Sequence, residues 1–309
     1  METEMENTQK SEYDLQTERI DARMALIGRK IVVMSGKGGV GKTTVTVNLA
    51  NALREMGKTV GILDCDIHGP NVGKMLGVKD AELMSPDGKV MYPVVTDNGI
   101  EVMSLAFALP DPEDAIIWRG AMKMGVIRQF LGDTEWGTLD YLIIDTPPGT
   151  GDEQLTVVQS IKDLTGAVIV TTPQEVAILD SRRSVTFARK CGIPIIGVIE
   201  NMSGLRCPNC GTEIPVFGKN GGRNMAAEMN VPFLGAIPME LDLMKSEDSG
   251  EEWVKDTTHP SAEALVAIAD KLENGDACTT GREMNRINTS SCSPEACAHC
   301  TSNCSSRKN

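Results

Sequence analysis

Apolar residues along this chain fall into two alternating patterns. Short continuous runs, such as Lys30-Ile31-Val32-Val33-Met34 and Tyr141-Leu142-Ile143-Ile144, read as buried strands. Between the runs, apolar residues recur at helical spacing, as Val45, Leu49, Ala52 and Leu53 do after Thr44. The pattern predicts strands near 30–34, 59–63, 100–104, 140–144, 166–171, 194–199 and 232–236. It predicts helices near 43–56, 118–131, 152–163, 175–190, 221–229 and 260–273. Strands alternating with helices imply an α/β fold, a doubly wound and mainly parallel sheet with helices on both faces. Upstream, Leu15, Ile20, Met24 and Ile27 predict an amphipathic lead-in helix over 15–27, after a polar, acidic and disordered arm at 1–14. Val78 to Asn98 is rich in loop residues, and Ser85-Pro86-Asp87-Gly88 within it signals a β-turn or short hairpin. After Asn274 large apolar residues almost disappear, so the folded domain is expected over 15–273 and a flexible, cysteine-rich tail over 274–309.

Charge and cysteine content narrow the chemistry. Thirty basic residues against forty-three acidic ones leave a formal charge of −13, which disfavours a nucleic-acid partner. No apolar run reaches the length of a membrane span, and Met1 to Glu6 lacks the basic start and apolar core of a signal peptide. A cytoplasmic protein without a membrane partner is the expectation. Nine cysteines, clustered and without an export signal, point to thiolate chemistry rather than disulfides.

Between the first strand and the first long helix stands Gly36-Lys37-Gly38-Gly39-Val40-Gly41-Lys42-Thr43. In this setting the spacing G-x-x-x-x-G-K-T is that of a phosphate-binding loop, whose glycines bring backbone N–H groups to phosphate oxygens at a helix N-terminus. The run from Gly36 through Thr44 is the candidate nucleotide site, with Lys42 on the β- and γ-phosphates and the Thr43 hydroxyl on Mg²⁺. Lys37 makes the loop resemble the deviant Walker A class of dimeric ATPases. In that class the added lysine reaches the partner's nucleotide, as an arginine finger does elsewhere; the resemblance implies an ATP-dependent homodimer. Two further segments fit. Leu63-Asp64-Cys65-Asp66 puts two carboxylates at a strand's C-terminal edge, where ligands bind in such sheets. Asp64 and Asp66 serve Mg²⁺ or the attacking water, or else cap the next helix. The apolar strand ending in Asp145 has the Walker B layout, and the Pro/Gly-rich run after it suits a switch segment.

The second informative motif is Cys207-Pro208-Asn209-Cys210. A two-residue spacer lets two thiolates face one metal, yet zinc or a [4Fe–4S] cluster takes four protein ligands. A two-fold dimer would bring two such pairs to one axis. Zinc and iron–sulfur readings both stand on the residues alone. A redox dithiol is disfavoured because Gly204 and Pro208 suggest a loop rather than a helix start. In the tail, Cys292, Cys297, Cys300 and Cys304 are close enough to hold a metal or to act as a thiol-bearing arm. Cys65 and Cys191 read as small packing residues.

From Ile20 to Leu272 the chain resembles the Mrp or ApbC family of iron–sulfur cluster carrier ATPases. The matching stretches include Gly36 to Thr43, Asp64 to Pro70, Trp118-Arg119-Gly120, Asp140 to Asp152, Glu200-Asn201-Met202-Ser203 and Cys207-x-x-Cys210. The resemblance implies a slow ATPase using ATP and Mg²⁺, with a labile [4Fe–4S] cluster bridging a homodimer at Cys207 and Cys210. It implies apo iron–sulfur proteins and cluster-assembly proteins as partners. By position it gives Asp66 a part in activating water, Asp145 one in organising Mg²⁺, and Asn201 one in recognising adenine beside Ile237-Pro238. The alternatives are a ParA- or MinD-like positioning ATPase, which shares the loop but works on a nucleic-acid or membrane surface, and a zinc-binding ATPase scaffold.

Overall fold

The computed structural model describes residues 10–67, 69–108, 120–207 and 209–275. In chain order the elements are α1 (Glu12–Met24), β1 (Ile27–Ser35), α2 (Lys42–Glu55), β2 (Val60–Asp64), α3 (Val72–Met75), β3 (Val94–Val95) and β4 (Glu101–Ser104). There follow α4 (Gly120–Asp133), β5 (Leu139–Asp145), α5 (Asp152–Ser160), β6 (Gly166–Thr171), α6 (Glu175–Lys190), β7 (Ile195–Glu200), β8 (Leu205–Arg206) and β9 (Glu213–Ile214). The series closes with α7 (Gly221–Glu228), β10 (Phe233–Ala236), α8 (Leu241–Ser249) and α9 (Pro260–Asn274).

Among the described residues the main sheet has eight strands in the order β10-β7-β6-β1-β5-β2-β4-β3. Its pairings are parallel except that of β3 with β4, at one edge. Every residue of β2, β6 and β7 is buried, as expected where helices cover both faces. Alternate residues divide between two cores. Ile31, Val33, Tyr141 and Ile143 face Leu49 and Leu53 of α2 and Leu265 of α9. Val32, Met34, Leu142 and Ile144 join the core that holds Ile20 of α1, Leu131 of α4 and Val185 of α6. The two-residue period of the strands is what splits one apolar run between two faces. No helix among the described residues is long and apolar enough to cross a membrane.

Several boundaries differ from those predicted. The lead-in helix expected over 15–27 runs from Glu12 to Met24, so residues 12–14 are helical rather than part of the acidic arm. A reciprocal cap sets its start: Asp14 N donates to Ser11 Oγ (3.2 Å) and Ser11 N to Asp14 Oδ2 (3.2 Å). Ile27 lies in β1, paired with Leu139, because sheet pairing claims it. The helix expected over 152–163 ends at Ser160, where Ile161 turns extended and is buried in the core. The helix expected over 118–131 is seen from Gly120 to Asp133. Strand β3, the β8–β9 hairpin, α3 and α8 carried no periodic signal long enough to read. In the segment 78–98 the expected turn forms: Gly88 N donates to Ser85 O (3.2 Å), and Met84 pairs antiparallel with Tyr92. The tail cysteines Cys292, Cys297, Cys300 and Cys304 lie outside the described residues, as do most of the arm at 1–14, Trp118 and Arg119.

α1 is bound into the fold through α4. Arg128 stacks its guanidinium 4.1 Å from the Tyr13 ring and donates to Gln16 (2.8 Å) and Thr17 (2.8 Å). Ile20 is fully buried there, whereas Leu15 keeps 40% of its surface exposed. Ile20→Ala should therefore cost about 2–5 kcal/mol in urea unfolding and Leu15→Ala less than about 0.5 kcal/mol. Equal costs would show that α1 is not part of the cooperative core.

Candidate functional site

The strands β1, β5 and β2 end together, with Val33 level with Asp145 and Asp145 level with Asp64. From this edge the chain leaves β1, turns through residues 36–41 and enters α2. Two glycines make that turn possible. A Cβ at Gly36 would lie 2.2 Å from the Asp180 carbonyl carbon of α6, so only glycine lets the loop pass. Gly41 has φ 78°, and its missing Cβ leaves room for Asn201 Nδ2, which would otherwise be 2.1 Å away. The loop so formed walls a cavity of about 360 Å³. Lys37, Gly38, Gly39, Val40, Gly41, Lys42, Thr43, Thr44 and Asp66 line it, as the sequence predicts; so do Ser35, Asn71, Lys74, Met75, Pro148, Met244, Glu247 and Asp248. No ion pair engages Lys37 among the described residues.

Behind the loop lie the two strand-end carboxylates. Asp145 is fully buried; its Oδ2 is 2.7 Å from Lys42 Nζ and accepts from Thr43 Oγ1 (2.8 Å), while its Oδ1 accepts from Thr46 Oγ1 (2.8 Å). Asp64, buried beside it, accepts from Ser104 Oγ (3.1 Å) and from Asp66 N (3.0 Å). Burial, and next the charge of Asp145, push the Asp64 carboxyl well above the usual carboxylate range. The strand ends at Asp64, so Asp66 sits beyond it, on the cavity wall, rather than on the same strand face. The Thr43 hydroxyl and the Asp66 carboxylate, both on the cavity wall, are oxygen donors of the hard kind that Mg²⁺ takes. The run after β5 docks on the loop: Gly149 N donates to Ser35 O (2.8 Å), and Pro148 reaches the cavity.

Asn201 and Pro238 are not brought into this cavity. Asn201 is buried behind the loop and its Nδ2 donates to Val40 O (3.0 Å), so the contact it makes is to the loop itself. Sequence reasoning missed Thr46 and the wall supplied by α8. Thr46 had a signal, being three residues after Thr43 on one helix face. Glu247 had none. Its carboxyl accepts from Thr44 Oγ1 (3.1 Å) and Asn48 Nδ2 (3.1 Å), and burial raises its pKa to about 7.

The cysteine pair occupies the turn between β8 and β9, which follows β7 at the same edge of the sheet. Cys207 N donates to Thr212 O (2.8 Å) and Gly211 N to Cys207 O (2.9 Å). Cys207 is half-buried and Cys210 exposed. Hydrogen bonds from Thr212, first its hydroxyl and then its amide, hold the Cys210 thiol below its ordinary pKa, and Cys207 adds to this. The pair sits in a turn rather than at a helix N-terminus, unlike a redox dithiol. No group of three or more His, Cys, Asp or Glu side chains placed to share a metal occurs among the described residues. Cys65 is buried, and desolvation keeps its thiol protonated.

The model of the NUBPL iron-transfer P-loop NTPases, of the ParA group, matches residues 26–273. An iron-sulfur cluster carrier protein of Methanocaldococcus jannaschii is 55% identical over 236 residues, which are 76% of this chain and 81% of the relative. The cytosolic Fe-S cluster assembly factor NUBP2 of Bos taurus is 45% identical over 78% of this chain and 91% of its own length. A nucleotide-binding protein of Archaeoglobus fulgidus, solved in complex with ADP, superposes with a TM-score of 0.69 at 40% identity, covering 80% of this chain and 95% of that one. The septum site-determining protein MinD of Pyrococcus horikoshii, solved with Mg-ADP, superposes at 0.57 and 26% identity, covering 80% and 96%.

Glu247 gives the cavity a pH dependence with a definite sign. Phosphate charge in the cavity favours the protonated carboxyl, so nucleotide binding takes up a proton and weakens as pH rises through about 7. The affinity for ADP should fall by up to about tenfold between pH 6 and pH 8.5, and Glu247→Gln should flatten the profile. Calorimetric titration in buffers of different ionisation enthalpy checks it; a profile equally steep in the variant would remove Glu247 from this role.

Proposed function

Because the chain belongs to the family of NUBPL iron-transfer P-loop NTPases, we propose that it is an ATP-dependent carrier of iron–sulfur clusters, acting as a homodimer in the cytoplasm. The observation that carries this reading is a turn presenting two thiols, half-buried Cys207 and exposed Cys210, with no third donor side chain beside them among the described residues. A [4Fe–4S] cargo needs four such ligands, and Cys207 and Cys210 from each of two chains supply them. The hairpin and Lys37 leave the same edge of the sheet, so one dimer contact can serve both. A carrier relative at 55% identity and a cluster assembly factor at 45% support the cargo. Apo iron–sulfur proteins and cluster-assembly proteins are the recipients and partners.

The nucleotide half follows from the cavity. Thr43 and Asp64, with Asp145 through water, would hold Mg²⁺, which neutralises phosphate charge when bound. Lys42 exchanges its contact with Asp145 for the β- and γ-phosphate oxygens. Asp66 orients the attacking water from the cavity wall, and Lys37 reaches the nucleotide of the partner. Asn201 acts on the nucleotide through the loop, by its hydrogen bond to Val40 O, rather than by meeting the base.

Anaerobic purification with iron, sulfide and zinc analysis tests the cargo. About two irons and two sulfides per chain are expected. The double variant Cys207→Ser, Cys210→Ser should lose them while keeping its affinity for ADP; full retention of iron would dismiss the site, and zinc in place of iron would favour the scaffold. Lys37→Ala should lower phosphate release on the order of a thousandfold without loss of ADP binding. Unchanged turnover would end the role given to Lys37 across the dimer.

A further inference from the structure

Glu200, the last residue of β7, is fully buried. Its Oε1 accepts from Ser203 Oγ (2.5 Å) and Asn220 N (3.1 Å), and its Oε2 from Gly222 N (2.6 Å). Ser203 lies just before β8, and Asn220 and Gly222 lie after β9. One carboxylate therefore holds both roots of the hairpin that carries Cys207 and Cys210. The approach is tight: a Cβ on Gly222 would come within 3.1 Å of Glu200 Cβ and 2.9 Å of Thr171 Cγ2, and one on Gly221 within 2.3 Å of Pro173 O. Through Gly222 N the carboxyl group also caps the N-terminus of α7, where backbone N–H groups lack helical partners.

The next residue faces the other way. Asn201 N donates to Thr171 O (2.7 Å), and its side chain donates to Val40 O of the phosphate loop. The backbone of the same segment is tied to residues 237–239, with Ile237 N on Glu200 O (2.8 Å), Ser203 N on Ile237 O (2.9 Å) and Met239 N on Gly204 O (2.7 Å). Two adjacent buried side chains thus run from the phosphate loop to the segments flanking the cysteine turn through these hydrogen bonds. Packed networks of this kind respond by discrete rearrangement rather than by yielding smoothly.

We propose that Glu200 is a positioning residue that couples the phosphate loop to the cysteine pair within a single chain. A nucleotide that shifts the Val40 peptide moves Asn201, and Glu200 passes that movement to both roots of the hairpin. The coupling is reciprocal, so a metal held by the thiols alters nucleotide affinity by the same factor. This rests on the reading of Cys207 and Cys210 as the metal-holding pair, but its test needs no metal.

The rate at which iodoacetamide alkylates Cys210 in the full, reduced chain is read by peptide mapping, with and without saturating MgADP. The wild-type rate should change by about fivefold. Glu200→Gln keeps one acceptor oxygen but opposes Gly222 N–H with an amide, and should at least halve that ratio while ADP still binds with wild-type affinity. A merely structural role would shift both rates together and leave the ratio intact. If Glu200→Gln fails to fold, Ser203→Ala, which removes one hydroxyl, decides in its place by the same criterion. The proposal is overturned by a wild-type ratio of one, by a variant that keeps more than half of the effect, or by loss of ADP binding in Glu200→Gln. Failure of the chain to bind iron would count against the cluster reading alone and leave this ratio untouched.

Discussion

A carboxylate without exposed surface must find its partners inside the protein, and Asp145 is such a group. Lys42, Thr43 and Thr46 supply them, all from the first turns of α2. For that, α2 must begin where β1, β5 and β2 end in register, and the chain must turn within residues 36–41 to reach it. Gly36 against α6 and Gly41 in its left-handed conformation are the local conditions of that turn. Burial first, and then the charge of Asp145, push the neighbouring Asp64 carboxyl up toward its neutral form. Strand register, loop conformation and helix start are thus answers to one electrostatic requirement, and the cavity above them is its by-product.

Much of this was legible in the sequence because the signals are local. Residues 36–44 announce the loop through spacing alone, and the runs ending in Asp64 and Asp145 announce the strands that flank it. Helix α2 and strand β6 lie close to where periodicity puts them. What the sequence hid were contacts between distant segments. Glu247 reaches Thr44 across about two hundred residues, from a nine-residue helix with no apolar stripe long enough to read. Asn201 shows the complementary case: its position was recognised, but its tie to Val40 depends on how β7 meets the loop, which no local pattern encodes. The start of α1 was a missed signal rather than a hidden one, since Ser11-x-x-Asp14 is itself a cap.

The two halves of the site differ in kind. The cavity is built from buried strand ends and helix starts of one chain, whereas the cysteine turn is more exposed and presents two thiols. On the proposed reading this suits a group that is to be released: a cage closed within one chain would retain it, and a site completed by symmetry opens when the chains part. The depressed Cys210 thiol adds to this, for thiolates both bind metal and exchange it readily.

The sheet order also governs how the chain reaches this state. β1, near its centre, pairs with β5 and β6, more than a hundred residues further along. During synthesis from the N-terminus the phosphate loop therefore emerges long before the strands that will support it. Until Asp145 has left the ribosome, β1 is an apolar strand with both hydrogen-bonding edges open, and one edge stays open until Thr171 follows. Contacts of such long sequence separation close slowly. The early part of this protein is thus a stretch for chaperones to shield, and nucleotide binding comes late in its maturation, after the centre of the sheet has closed.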